Sequence, residues 1–197
     1  DGGLERAVEV HSAWGTFEWM LDDAFEQGYR VGIVSNSDGH KGRPGASHPG
    51  ATKFGSYGGL TCILAPEFTR AGLMEGLNKR HHYGTTGSRV VLDVQAEFDT
   101  PAELFSDDPR LGDVTSETVS QAMMGDILKS GDAEVTLRVD VRGASPIERI
   151  DIRNGLETVE VFRPYTEADL GRRIRVLWEG SEYRGRGRET VWDGHAE

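Results

Sequence analysis

The hydrophobic repeat of this 197-residue chain changes near residue 90, and that change limits the folds open to it. Before it, short apolar runs alternate with stretches of helical spacing. Residues 7–10 read as a strand. Phe17, Met20, Leu21, Ala24 and Phe25 then fall at i, i+3, i+4, i+7 and i+8, which makes one helical face apolar. Thr16 is placed to cap that helix and Gly28 to supply its left-handed stop. Residues 30–34 are nearly unbroken in apolarity, as in a strand buried on both faces. Residues 60–64 form a third strand, and Thr69 caps a second helix with Ala71, Leu73, Met74 and Leu77 inward. Strand, helix, strand, loop, strand, helix implies a parallel sheet with right-handed crossovers.

After residue 90 the period is two. Val135, Leu137, Val139 and Val141 alternate with polar residues. Ile150 to Arg153 runs into Asn154-Gly155, a type I′ turn signal, and Val159 and Val161 return beyond it. Ile174, Val176 and Trp178 alternate again. These residues predict an antiparallel, sandwich-like β module. Residues 99–131 read as a long connection with at most a short strand or helix. The expected division is 1–89 and 90–197, α/β followed by all-β.

Composition narrows the function classes. No apolar run approaches the ~18 residues of a membrane span. The first residues lack the basic and apolar pattern of a secretion signal. A net charge of −11 argues against a nucleic-acid-coating role, which needs a basic face. Almost all of that charge lies after residue 90, whereas five of the six histidines lie before it. Chemistry is therefore sought in the first part. The single cysteine, Cys62, excludes an internal disulfide and a cysteine-cluster zinc site, and mid-strand it reads as a small core residue.

The sharpest candidate is Ser35-Asn36-Ser37-Asp38-Gly39-His40, directly after the strand ending at Val34. Ligands in parallel α/β sheets bind beyond the carboxyl ends of strands. In an extended exit, Asp38 and His40 would point to the same side. A carboxylate with an imidazole suits zinc, manganese or iron. The alternative is a turn with an aspartate cap and a surface histidine.

With its neighbours this segment resembles the last part of the PHP superfamily, named for polymerase and histidinol phosphatase. The resemblance rests on Val8-Glu9-Val10-His11-Ser12 and Asp38-Gly39-His40. It continues through Gly42-Arg43-Pro44-Gly45, Gly58-Gly59-Leu60-Thr61 and Thr85-Thr86-Gly87, as in one uncharacterised bacterial branch. It implies the C-terminal half of a distorted (β/α) barrel with a divalent metal cluster at its mouth, hydrolysing phosphate esters. Asp38 and His40 would then be metal ligands. Family members begin with His-x-His on a first strand, and this chain contains no His-x-His. The missing half of the barrel is therefore expected as another chain or segment, and the substrate as a small anion.

Other residues carry two readings each. His11, at a strand's carboxyl end, could transfer a proton or touch substrate, or simply be packed. Glu9 would face the same way, or be a paired strand carboxylate. Lys41 and Arg43 could pair with an anionic substrate, or be solvated loop charges. His48 lies in a glycine-rich loop that could act as a lid. His81-His82 follow Lys79-Arg80 at a helix end, where positive charge complements the dipole. Arg184, Arg186 and Arg188 read as a charged strand face, because no aromatic ladder accompanies them. The function expected is a metal-dependent hydrolase, phosphoesterase in type. The alternatives are a non-catalytic binding or structural module and a metal hydrolase of a non-phosphate ester or amide.

Overall fold

A computed structural model describes residues 3–40, 42, 57–131, 134–172, 174 and 193–195. The chain divides into two compact units, residues 1–145 and 146–197. The position between residues 89 and 90 falls inside the first.

The first unit opens with β1 (Ala7–Ser12), β2 (Gly15–Thr16), α1 (Trp19–Glu26) and β3 (Gly32–Ser35). β1 pairs antiparallel with β2 and parallel with β3. Thr16 does not cap α1. It lies in β2 opposite His11, and its hydroxyl is 2.8 Å from the His11 ring, so Glu18 takes the cap position. Gly28 does take the left-handed conformation past the helix end, at φ +74°.

β4 (Leu60–Ile63) and β5 (His82–Thr85) flank α2 (Arg70–Asn78). Thr69 caps α2 as its sequence predicts, its hydroxyl accepting from the Gly72 amide at 3.1 Å. Thr69→Ala is expected to cost about 1 kcal/mol, read from the urea midpoint at unchanged m-value. An unchanged midpoint would show that tertiary packing alone holds the helix.

The strand–helix alternation does not close a barrel. β4 and β5 run antiparallel, so α2 sits in the connection of a hairpin rather than in a parallel crossover. The reason is local. Arg80 adopts a left-handed φ of +61°, and the Leu64 amide then donates to the His81 carbonyl at 2.8 Å. The chain thus re-enters beside the end of the strand it has just left. A non-glycine residue in that region carries about 1 kcal/mol or more of strain, which its surroundings must hold.

A four-stranded antiparallel sheet follows, built on β6 (Val91–Phe105). β7 (Ser116–Met123) pairs along one edge. β9 (Val135–Arg142) and β8 (Ile127–Lys129) occupy successive stretches of the other. Much of the 99–131 segment, expected as a connection, is therefore strand. Its alternation is hidden by an irregularity. Register shifts between Glu97 and Ala102, and Pro101 falls in the shifted stretch, where no ladder donor is required. Asp99 holds this bend, its carboxylate accepting from the Glu134 amide at 2.9 Å.

The second unit contains the hairpin of β10 (Ile150–Asn154) and β11 (Glu157–Phe162), then the short helix α3 (Glu167–Leu170). Asn154 pairs with Glu157, so the turn is centred on Gly155-Leu156. Only Gly155 has positive φ there, at +59°, which is the II′ arrangement rather than the expected I′. Val176 and Trp178 lie outside the described residues, as do Arg184, Arg186 and Arg188.

The expected half barrel followed by a β-sandwich is thus replaced. The described residues form four small sheets with three short helices, and β1–β3 is the one parallel pair among them. No helix among them is long and apolar enough to cross a membrane.

The core of the first unit is small and partly polar. Ala13, Tyr83, Phe98, Ala102 and Ile127 are buried, and so are Ser35, Arg80, His82 and Asp108. Tyr83 ties β5 to the start of β6. Its hydroxyl donates to the Val90 carbonyl at 2.7 Å and accepts from the Leu92 amide at 3.1 Å. Burial, followed by the nearby Cys62 thiol, raises the Tyr83 pKa.

Candidate functional site

The carboxyl end of β3 is fixed from several directions. Ser35 is 1% exposed. A Cβ on Gly59 would lie 2.5 Å from that of Ser35, and one on Gly84 would meet the Ser35 hydroxyl, so only glycine permits this approach. The Thr61 hydroxyl accepts from the Ser35 amide at 3.0 Å and lies 2.9 Å from the Ser35 carbonyl. The Gly59 amide donates to the Asn36 carbonyl, the Asn36 amide to the His11 carbonyl, and the Ala13 amide to the Ser37 carbonyl. The Asn36 side chain donates to the Glu9 carboxylate at 2.9 Å. The chain is thereby held on both sides up to Ser37.

Asp38 and His40 follow at φ +49° and +51°. Aspartate and histidine tolerate the left-handed region better than most residues, yet two such positions in three are unusual. The two side chains do converge, though through this left-handed turn and not through an extended exit. His40 Nδ1 is 2.7 Å from the Asp38 carbonyl oxygen and 3.2 Å from its carboxylate. A carbonyl only accepts, so Nδ1 carries a proton, and in the neutral ring the lone pair falls on Nε2. The side chains are 57% and 37% exposed.

The remaining candidates separate. His11 is 5% exposed, and both ring nitrogens are engaged. Nε2 donates to the Tyr57 carbonyl at 2.8 Å, and Nδ1 is 2.8 Å from the Thr16 hydroxyl. In this arrangement it ties β1 to β2 and to residue 57. Glu9 is exposed and accepts from Asn36. Lys41, Arg43 and His48 lie outside the described residues. Among those described, no group of three His, Cys, Asp or Glu side chains is placed to hold a metal. His81 pairs with Asp126, 45 residues on, at 2.8 Å.

A second cluster was not foreseen from the sequence. Asp108 is 4% exposed and joins Arg30 at 2.9 Å and Arg110 at 2.7 Å. Arg110 also donates to the Gly28 carbonyl. The Arg110 side chain, the Arg110 amide and the Arg30 charge hold the Asp108 carboxyl at about 2, outweighing burial. Asp107 takes Arg6 in a bidentate pair at 2.8 and 2.6 Å. These pairs link the βα segment to the end of β6. The only local signal was Asp107-Asp108-Pro109, which reads as a turn.

The buried His82 completes the inner wall. Its Nδ1 lies 2.9 Å from the Ile33 carbonyl. Burial lowers its pKa, and the hydrogen bond to the Ile33 carbonyl opposes that shift in part. Its Nε2 is buried without a hydrogen-bond partner.

Fold and site together define a strand-rich protein with an Asp–His pair on a constrained left-handed turn. Residues 48–156 match the family described as protein of unknown function DUF3604, and the chain belongs to that family. An uncharacterized protein of Chlamydia pneumoniae is 29% identical over 109 residues, covering 45% of this chain and 17% of that protein. The chain thus spans about a sixth of that relative's length. No solved structure matches. The family match begins between β3 and β4 in sequence and runs through β4 to β10, across the position where the PHP-like segment was expected to end. With the antiparallel β4–β5 pair, it overturns the resemblance to the PHP superfamily.

Proposed function

We propose that this chain contributes the Asp38–His40 pair to a divalent-metal-dependent hydrolase of small anionic esters, phosphate esters first. The supporting observation is the direct contact of the two side chains at the end of β3, on a turn strained at both positions. Strain of that kind persists where surroundings over-determine it and often marks a working site.

An imidazole suits zinc, manganese or iron, but one protein ligand is fewer than the three usual in a catalytic zinc site. The others must come from chain outside the described residues or from a further segment. The greater length of the Chlamydia pneumoniae relative agrees with the latter. Because His40 Nδ1 is engaged by Asp38, ligation falls to Nε2, and the Asp38 carboxylate orients the ring. A bound cation would supply Lewis-acid polarisation and a water of lowered pKa. Lys41 and Arg43, next in sequence, carry the charge to balance an anionic substrate.

The test is metal content and aryl phosphate hydrolysis by the full-length protein. It should retain near-stoichiometric Mn, Zn or Fe after dialysis. His40→Gln should lower metal content and reduce kcat/KM roughly 100-fold, about 2.7 kcal/mol. Full activity in the variant, or no retained metal in the parent protein, overturns the reading. Hydrolysis of an aryl ester or amide in preference to the phosphate would retain the metal but replace the substrate class.

A further inference from the structure

A cavity of about 640 Å³ lies at the other end of β3 from Asp38. Phe25, Tyr29, Val31, Ile33, Ile127 and Leu128 supply its apolar surface. Phe25 and Tyr29 are 37% and 40% exposed. The volume falls in the range of small-molecule sites, which combine apolar walls with a few polar groups. Here the polar groups include Arg80 and His82, 7% and 4% exposed.

The charge on Arg80 is incompletely answered. Its Nε and one terminal nitrogen donate to the Gly125 and Asn78 carbonyls at 3.2 and 3.4 Å. The nearest paired carboxylate is Asp107 at 3.9 Å, and that carboxylate is already taken by Arg6. Among the described residues of this cluster, the guanidiniums of Arg6, Arg30, Arg80 and Arg110 face the carboxylates of Asp107, Asp108 and Asp126. That leaves one positive charge in excess, before any charge on His81, the partner of Asp126. Burial of Arg80 disfavours its charged form, yet a guanidinium stays protonated. A buried, under-paired charge is costly, and an anion that entered would relieve it.

We propose that this cavity binds a small apolar monocarboxylate, its carboxylate on the Arg80 guanidinium and its hydrocarbon body between Tyr29 and Leu128. A single negative charge matches the excess. The apolar walls and the neighbouring Asp126 disfavour a phosphate dianion, and a neutral aromatic would leave Arg80 as it is. The site is independent of the hydrolase reading, since none of its residues belongs to the Asp38 turn.

The test is a titration of the 197-residue chain with benzoate, benzamide and inorganic phosphate, followed through the amide NMR shifts of Gly32, Gly84 and Leu128. Benzoate should give saturable shifts at all three, with affinity at least tenfold above benzamide, and phosphate should give none. Arg80→Gln should bring benzoate down to the benzamide level, and Leu128→Trp should weaken benzoate at least tenfold by filling the cavity. Equal affinity for benzamide, a preference for phosphate, or no shifts at these amides overturns the proposal. The comparison of ligands on the unaltered protein decides it even where Arg80→Gln does not fold.

Discussion

Gly125→Ala is expected to destabilise the first unit by about 3–5 kcal/mol, lowering its Tm by roughly 10–15 °C. Gly125 lies at φ +95° in the turn between β7 and β8. A Cβ there would run into the carbonyl of Arg80 and lie 2.8 Å from that of Lys79, both backbone atoms that cannot rotate away. The substitution thus combines overpacking with a backbone conformation that alanine resists. It also dislodges the docking that holds Arg80 in its left-handed state, where Arg80 donates to Gly125 and His81 to Asp126. Calorimetry of the variant beside a Gly131→Ala control separates the two contributions. Gly131 also has a left-handed φ, at +57°, but no atom within 4 Å of the added Cβ. If both variants melt alike, the contact at Gly125 carries no weight.

Asp108→Ala is expected to cost about 1–2 kcal/mol at pH 7, because it removes the common carboxylate of two guanidiniums that stay partly solvated. The pH dependence is a separate signature. The folded-state carboxyl titrates at about 2 against an ordinary 3.8. The folded state therefore binds fewer protons than the unfolded chain between those values. The stabilisation is complete above about pH 5 and is lost as pH falls through 4 towards 2. That lowering corresponds to ~2 kcal/mol. Arg30 and Arg110 are 40% and 47% exposed, so screening reduces this to about 1–2 kcal/mol. Urea titrations at pH 6 and pH 2.5 should show the variant losing that much less than the parent. Parallel losses in the two proteins would mean that Asp108 is not held low.

The helix cap at Thr69, the left-handed stop at Gly28 and the turn around Gly155 were legible because each is decided within a few residues. The convergence of Asp38 and His40 was legible for a wrong local reason, since the left-handed turn, not period-two alternation, brings them together. Thr16 misled because a hydroxyl suited to a helix cap found the His11 ring instead. The strands between residues 99 and 131 were hidden because Asp99, Thr100 and Pro101 interrupt their alternation at a register shift.

Sequence alone determined where the chain bends, which stretches are apolar, and that its histidines gather in the first part while its negative charge gathers in the second. Tertiary structure alone decided that β5 returns antiparallel beside β4, that His11 is engaged at both nitrogens, and that Asp107 and Asp108 meet arginines from distant segments. The physical reason is range. Caps and turns are set by bonds spanning two to four residues, whereas strand direction and ion-pair partners depend on which remote surfaces meet, and hydrophobic alternation is the same for either direction of pairing.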